Sequence, residues 1–381
     1  MSDLIKPFRI NVPQTELDEL QQRLALTRWT TEQTEESPWQ QGVPLERAKA
    51  LVDYWQTQYS WRRCEEALNR FDNFVYTADD VDIHFIHVRS RHTSARPLLL
   101  THGWPGSILE FTDIIDRLIN PQDHGGSAED AFHLVIPSLP GFGFSGKPAT
   151  AGWNVEKIAR TWGDIMLALG YQAYVAQGGD WGSAVTLSMA SQKLEGLQGI
   201  HLNLVIAMPN PGEELTPEEQ AALIPAMQYI KDGNGYAVIQ TTRPQTIGYS
   251  LSDSPVGLAT WIYEKFQNWS DCGGDPESIF SKDRLLDNIS LYWLTNSGHS
   301  SARLYWESFN KSFAGVTTDL PVGVTVYPKD VSTPCEKWVA RLYPNLIYFN
   351  SPTEGGHFPA MEQPQGFVEE LRKTFAKLKL G

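Results

Sequence analysis

Gly178–Gly179–Asp180–Trp181–Gly182–Ser183 is the stretch whose reading decides the fold. Residues 174–176 ahead of it read as a strand, and 184–190 behind it read as a helix. Gly178 and Gly182 flank the central residue at the spacing G-x-nucleophile-x-G. Such a strand-to-helix turn is sharp and needs residues without a Cβ close by. The tip residue is commonly serine, but here it is Asp180. A carboxylate nucleophile forms an alkyl ester, which suits a substrate with an electrophilic sp3 carbon. Two plainer readings compete: an ordinary surface Asp in a glycine-rich turn, or a phosphate-binding loop. The surrounding chain has to decide between them.

Upstream, Pro97–Leu98–Leu99–Leu100–Thr101 is a continuous apolar strand that runs into His102–Gly103–Trp104–Pro105–Gly106–Ser107, and a helix is predicted over 108–118. A buried strand at 133–137 leads into the loop Pro140–Gly141–Phe142–Gly143–Phe144–Ser145, and a helix follows at 158–169. Another strand is predicted at 200–205, and 81–88 alternates like a half-buried antiparallel strand. Strands alternating with helices at this spacing imply an α/β class and a mostly parallel sheet. From 208 to 314 the strand signal disappears, and helices are predicted at 216–230, 255–269, 285–295 and 302–309. A helical block inserted into such a sheet reads as a cap over its active face. Strands resume at 322–327 and 345–349, and the last helix is predicted over 365–380.

The first part of the chain reads as a packing arm. Leu17, Leu20 and Leu24 share one face of a helix over 15–26, with Thr15 and Asp18 placed like a capping box. Pro44 opens a second helix. The expected division is a helical arm (1–75), a first core part (76–208), a helical cap (209–314) and a second core part (315–381).

A nucleophile at a strand end needs an acid and a histidine further along, in the chain order nucleophile, acid, histidine of the α/β-hydrolase fold. Asp330 follows the strand at 322–327, and His357 follows the strand at 345–349. A histidine oriented by a carboxylate can take a proton from water near neutral pH. Glu354, Glu336 and the pair Glu213–Glu214 stay open as rival acids. Breakdown of an ester also needs an oxyanion hole. In this fold one backbone N–H comes from the residue after the nucleophile and one from the loop after an earlier strand, which gives Trp181 and Trp104.

Composition narrows the class. A formal charge of −14 argues against nucleic acid or an anionic membrane surface as the main partner. Three scattered cysteines, Cys64, Cys272 and Cys335, form neither a disulfide framework nor a metal cluster, which favours a reducing cytoplasm. No apolar run is long enough to span a membrane, and the first nine residues are too polar for a signal peptide. Thirteen Trp and fourteen Tyr suit an aromatic-lined pocket.

Five stretches together resemble the microsomal-type epoxide hydrolases: His102–Gly103–Trp104–Pro105–Gly106–Ser107, the Asp180 hexapeptide, Thr242–Arg243–Pro244–Gln245–Thr246–Ile247–Gly248, Ser254–Pro255–Val256–Gly257–Leu258 and Gly355–Gly356–His357–Phe358. The likeness covers nearly the whole chain, including the arm. It implies the α/β-hydrolase fold with a mostly parallel eight-stranded sheet, a helical cap and a wrapping N-terminal arm. The chain departs from the membrane-bound members in lacking their anchor, and so looks like the soluble microbial ones. The resemblance also implies roles for Tyr236 and Tyr305, which fall at the family's two cap tyrosine positions. Two phenols can hold an epoxide oxygen and protonate the alkoxide left by ring opening. The implied reaction turns an apolar epoxide and water into a vicinal diol, with no metal or organic cofactor. A homodimer is left open. A haloalkane dehalogenase is the alternative: it shares the Asp–His–acid machinery, and its tryptophan after the nucleophile can hold halide.

Overall fold

The computed structural model describes residues 4–308 and 316–378. The expected cap boundary at 314 and the predicted ends of the helices at 309 and 380 lie outside the described residues. Nine strands form one sheet: β1 (Ile5–Phe8), β2 (Asn73–Ala78), β3 (Val81–Val88), β4 (Arg96–Thr101), β5 (Phe132–Pro137), β6 (Tyr174–Gly178), β7 (Leu197–Leu202), β8 (Val322–Thr325) and β9 (Leu346–Asn350). Their order is β1-β2-β3-β5-β4-β6-β7-β8-β9. Pairing is parallel from β5 through β9 and antiparallel among β1, β2, β3 and β5. The central strands are buried on both faces, so β4 reads Leu98–Leu99–Leu100 without alternation, all three inaccessible to solvent.

Without β1 this is the eight-stranded sheet of the α/β-hydrolase fold. The ninth strand comes from the arm, where Ile5 pairs with Tyr76 and Phe8 with Asn73. It covers the backbone groups that β2 would otherwise leave open along that side.

After β1 the chain forms helices Gln14–Ala25, Leu45–Thr57 and Trp61–Leu68. The capping box expected at Thr15 and Asp18 does not form. The helix starts one residue earlier, at Gln14, behind Pro13 with φ −55° and no side-chain cap. The arm lies against the cap: Trp55 Nε1 donates to Ser290 Oγ (2.9 Å), and Tyr59 Oη to Asp287 Oδ1 (2.9 Å). Arg63 Nη2 also reaches Asp287 Oδ1, at 2.6 Å.

All cap helices from Pro217 to Ser308 lie between β7 and β8. The single helix predicted over 216–230 is instead Pro217–Ala222, Ile224–Gln228 and a π-turn at Tyr229–Gly233. Pro225 has no N–H to carry the ladder across the break. The helix predicted over 108–118 is also split, into a short 3₁₀ turn, Ile108–Phe111, and Ile115–Ile119. Arg284 of the cap takes the Leu109 carbonyl (3.1 Å) and Thr112 Oγ1 (2.8 Å) at that point, diverting a carbonyl from the helical ladder. Among the described residues no helix is long and apolar enough to cross a membrane.

Candidate active site

β4, β6, β8 and β9 are parallel, so the loops leaving them emerge at one edge of the sheet, where ligands bind in open α/β sheets. Asp180 leaves β6 with φ 49° and ψ −127°, a conformation that costs a non-glycine residue about 1–3 kcal/mol. The flanking glycines make it reachable. A Cβ on Gly178 would collide with the Gly182 carbonyl, and one on Gly182 with the Thr101 carbonyl. Nor is there room for one on Gly103, where it would strike the Asp180 side chain.

The loop after β4 carries the next group. Trp104 N–H donates to Asp180 Oδ1 at 2.8 Å. Buried His102 braces this loop, its Nδ1 bonded to the Gly103 carbonyl (2.9 Å) while Nε2 accepts from Leu139 N–H (3.2 Å). That pattern fixes the neutral tautomer, and burial lowers the imidazole pKa to about 4. Trp181 is the first residue of the helix Trp181–Ser191, where backbone N–H groups converge on an anion.

His357 stands on the other side of Asp180. Its Nε2 is 3.4 Å from Asp180 Oδ2, and its Nδ1 is 2.7 Å from Asp330 Oδ1. Burial pulls this imidazole down, but the carboxylates of Asp330 and Asp180 outweigh it and hold His357 well above its ordinary range. Asp330 is 2% exposed. The structure does not bring the rival acids to His357. Glu354 and Glu336 are exposed, and Glu213 is engaged by Arg341 (2.7 and 2.9 Å) and Lys337 (2.6 Å). Hydrogen bonds fasten the histidine loop. Glu362 accepts from the N–H of Phe358 and of Asp271, each at 2.8 Å, and His357 N–H donates to the Trp269 carbonyl (2.8 Å).

Above Asp180 the cap adds an aromatic box. Trp104 stacks on Tyr236 with ring centres 4.7 Å apart and 8° between planes. Tyr305 meets Trp181 edge-on at 4.8 Å, and Trp269 meets His357 at 4.9 Å. Tyr305 Oη lies 3.5 Å from Tyr236 Oη, which lies 3.1 Å from Tyr229 Oη. Burial keeps the phenols of Tyr236 and Tyr305 well above their ordinary range, so both remain O–H donors. Tyr229, pushed up to about 12 by the same burial, extends this chain and was not among the expected site residues. It stands on the π-turn at Tyr229–Gly233 while Tyr236 opens the next helix, Gly235–Thr242, so no shared helical face marked the pair in the sequence.

Together these groups wall a pocket of ≈ 360 Å³, lined by Asp180, Trp181, Tyr229, Tyr236, Tyr305 and His357 and otherwise mostly apolar. Exposed Ile206, Met208 and Ile230 form part of its mouth. A second carboxyl, the partly buried Glu110, lies beside the site and had no expected role. Burial pushes it up to about 8, with His357 opposing and Asp180 adding to the rise.

Known proteins match along the whole chain. The family model described as "Epoxide hydrolase N terminus" covers residues 5–111, and that of the alpha/beta hydrolase fold covers 96–236. A Stigmatella aurantiaca protein named "Putative epoxide hydrolase" is 53% identical, over 98% of this chain and 86% of its own. Epoxide hydrolase 1 of Sus scrofa is 35% identical, over 98% and 89%. The solved structure of the Aspergillus niger epoxide hydrolase superposes with a TM-score of 0.88 at 31% identity, over 98% of this chain and 96% of that one. A likeness that runs from the arm strand to the final helix, around one carboxylate elbow, places this chain in the epoxide hydrolase family.

Proposed function

We propose that this enzyme opens an apolar epoxide through a covalent ester on Asp180 and then hydrolyses that ester to a vicinal diol. The observation that carries the reading is the setting of one carboxylate. Asp180 Oδ1 is held by the Trp104 N–H, its Oδ2 faces His357, and the pocket in front of it contains the phenols of Tyr236 and Tyr305.

In the first half-reaction Tyr236 and Tyr305 donate to the epoxide oxygen. Asp180 Oδ2 attacks one ring carbon, the C–O bond of the ring breaks, and a phenol gives its proton to the alkoxide. Buried, un-ionised phenols suit this task, since their protons leave only toward a much stronger base. In the second half-reaction His357 Nε2 removes a proton from water, and the water oxygen bonds to the Asp180 carbonyl carbon. The N–H groups of Trp104 and Trp181 stabilise the tetrahedral oxyanion. Collapse expels the diol oxygen, which takes the proton back from His357, and the second water proton, left on the Asp180 carboxyl, passes to the phenolate and restores both groups. Asp330 orients the imidazole and stabilises its charged form.

Ester formation also changes the base. His357 is held protonated partly by the Asp180 charge. Esterification removes that charge, so the imidazole becomes easier to deprotonate when a base is required. The names of the relatives favour an epoxide over the haloalkane alternative, and the apolar lining favours a hydrophobic substrate.

Single-turnover reaction in heavy-oxygen water tests the covalent step. Label must enter the Asp180 carboxylate. Label found only in the first-turnover diol would mean direct attack by water.

A further inference from the structure

Asp180 and His357 form a partition with space on both sides. The substrate pocket lies toward the cap. Behind the pair is a cavity of ≈ 10 Å³, measured as the space open to the centre of a water molecule. That is room for about one water. Its polar lining includes Asp180, His357, Glu110, Gln177 and Asn203. Among the described residues, Gln177 Oε1 is buried without a hydrogen-bond partner, and His357 Nε2 has only its 3.4 Å ion-pair contact with Asp180 Oδ2. A small cavity with such atoms in its wall suits an ordered water rather than a dry void.

Glu110 is the element of this cavity that the mechanism has not used. It sits on the 3₁₀ turn Ile108–Phe111, directly after the loop that supplies the Trp104 N–H. The two glycines of His102–Gly103–Trp104–Pro105–Gly106–Ser107 serve two carboxyl groups. A Cβ on Gly103 would strike Asp180, and a Cβ on Gly106 would strike the Glu110 carboxyl. One loop therefore seats both the nucleophile and Glu110. Glu110 is partly buried, and it is one of the residues in the wall of this cavity.

We infer that Glu110 is a positioning residue for ester hydrolysis: its carboxyl oxygen accepts one hydrogen of the attacking water while His357 Nε2 takes the other. With both hydrogens directed, the oxygen lone pair faces the Asp180 carbonyl carbon from one face of the planar ester group. The bond made is water oxygen to carbonyl carbon. The proton goes to His357, and Glu110 exchanges none. The inference rests on the covalent reading above. It adds that the two half-reactions approach Asp180 from different chambers.

The test separates the two half-reactions. Styrene oxide is mixed with enzyme in single turnover, ester is followed by rapid quench and mass spectrometry, and wild type is compared with Glu110→Met. Met fills a similar volume without an acceptor. Ester formation should stay within about twofold of wild type while ester hydrolysis slows about 10- to 100-fold, the scale of losing one positioning contact. Hydrolysis at the wild-type rate, or equal slowing of both steps, overturns the role of Glu110. If Glu110→Met does not fold, Glu110→Asp draws the carboxyl back by one methylene and must show the same selective loss of hydrolysis; its absence likewise overturns the role. No ester mass in wild type would refute the covalent reading itself, an outcome distinct from failure at Glu110.

Discussion

His357 Nε2 faces Asp180 Oδ2 at 3.4 Å, while its other nitrogen is held at 2.7 Å by Asp330. In the proposed mechanism the base is thus aimed at the carboxylate that carries the ester. Replacing His357 with Gln removes the base and leaves the nucleophile. We expect one enzyme equivalent of epoxide to be consumed in a burst, followed by turnover slower by about 10²- to 10⁴-fold, the usual contribution of a general base. The trapped ester should appear as an added epoxide mass. Undiminished steady-state diol formation would remove His357 from this role.

Asp330 and the charge on Asp180 together hold the His357 imidazole well above its ordinary range. Neutralising Asp180 should therefore lower the imidazole pKa, and Asp180→Asn imitates the ester in this respect. Histidine NMR titration should show a lower pKa in that variant than in wild type. Single-turnover ester hydrolysis should rise with pH, because only the neutral imidazole accepts a proton. Its midpoint should lie below the His357 pKa of the free enzyme. A midpoint at or above that value would contradict the coupling.

Tyr236 and Tyr305 are argued to share the epoxide oxygen. Removing one phenol, as Tyr236→Phe or Tyr305→Phe, should slow ester formation by about 10²- to 10³-fold, the range for deleting one donor to a developing oxyanion. Hydrolysis of ester already formed should be little changed, since the phenols act before it. A variant that slows only hydrolysis would reassign its tyrosine.

Arg63 and Tyr59 of the arm both bond Asp287 of the cap, which is 3% exposed. Burial raises the Asp287 pKa, and Arg63 opposes that rise. Arg63→Met would strand the carboxylate with one partner fewer, at a cost of about 1–3 kcal/mol. Urea unfolding of the variant near neutral pH should report that loss, with the active-site rates for ester chemistry intact. A stability equal to wild type would show that this link contributes nothing.

Local grammar explains what was legible in the chain. The elbow could be read because Gly178 and Gly182 are dictated by backbone collisions within a few residues of Asp180. Asp330 and His357 could be placed because parallel strands deliver their loops to one edge. Thr15 misled because a side-chain cap and a proline start compete at the same helix end, and Pro13 prevailed. Glu110 was not legible at all. It stands 70 residues from Asp180 in the chain, and its meaning arises only when β4 and β6 lie side by side. The ninth strand escaped for a similar reason: four residues of the arm acquire strand character from β2 rather than from their own pattern.

The arm's grip on the cap has a consequence for selectivity. Trp55, Tyr59 and Arg63 bolt the roof of the chamber to the walls through contacts more than 220 residues apart in the chain. A vault with a bolted roof admits guests through its doorway rather than by lifting its ceiling. The sill of that doorway is Ile206, Met208 and Ile230. Enlarging or closing the threshold there, with the roof left in place, is the direct route to changing which epoxides this enzyme accepts.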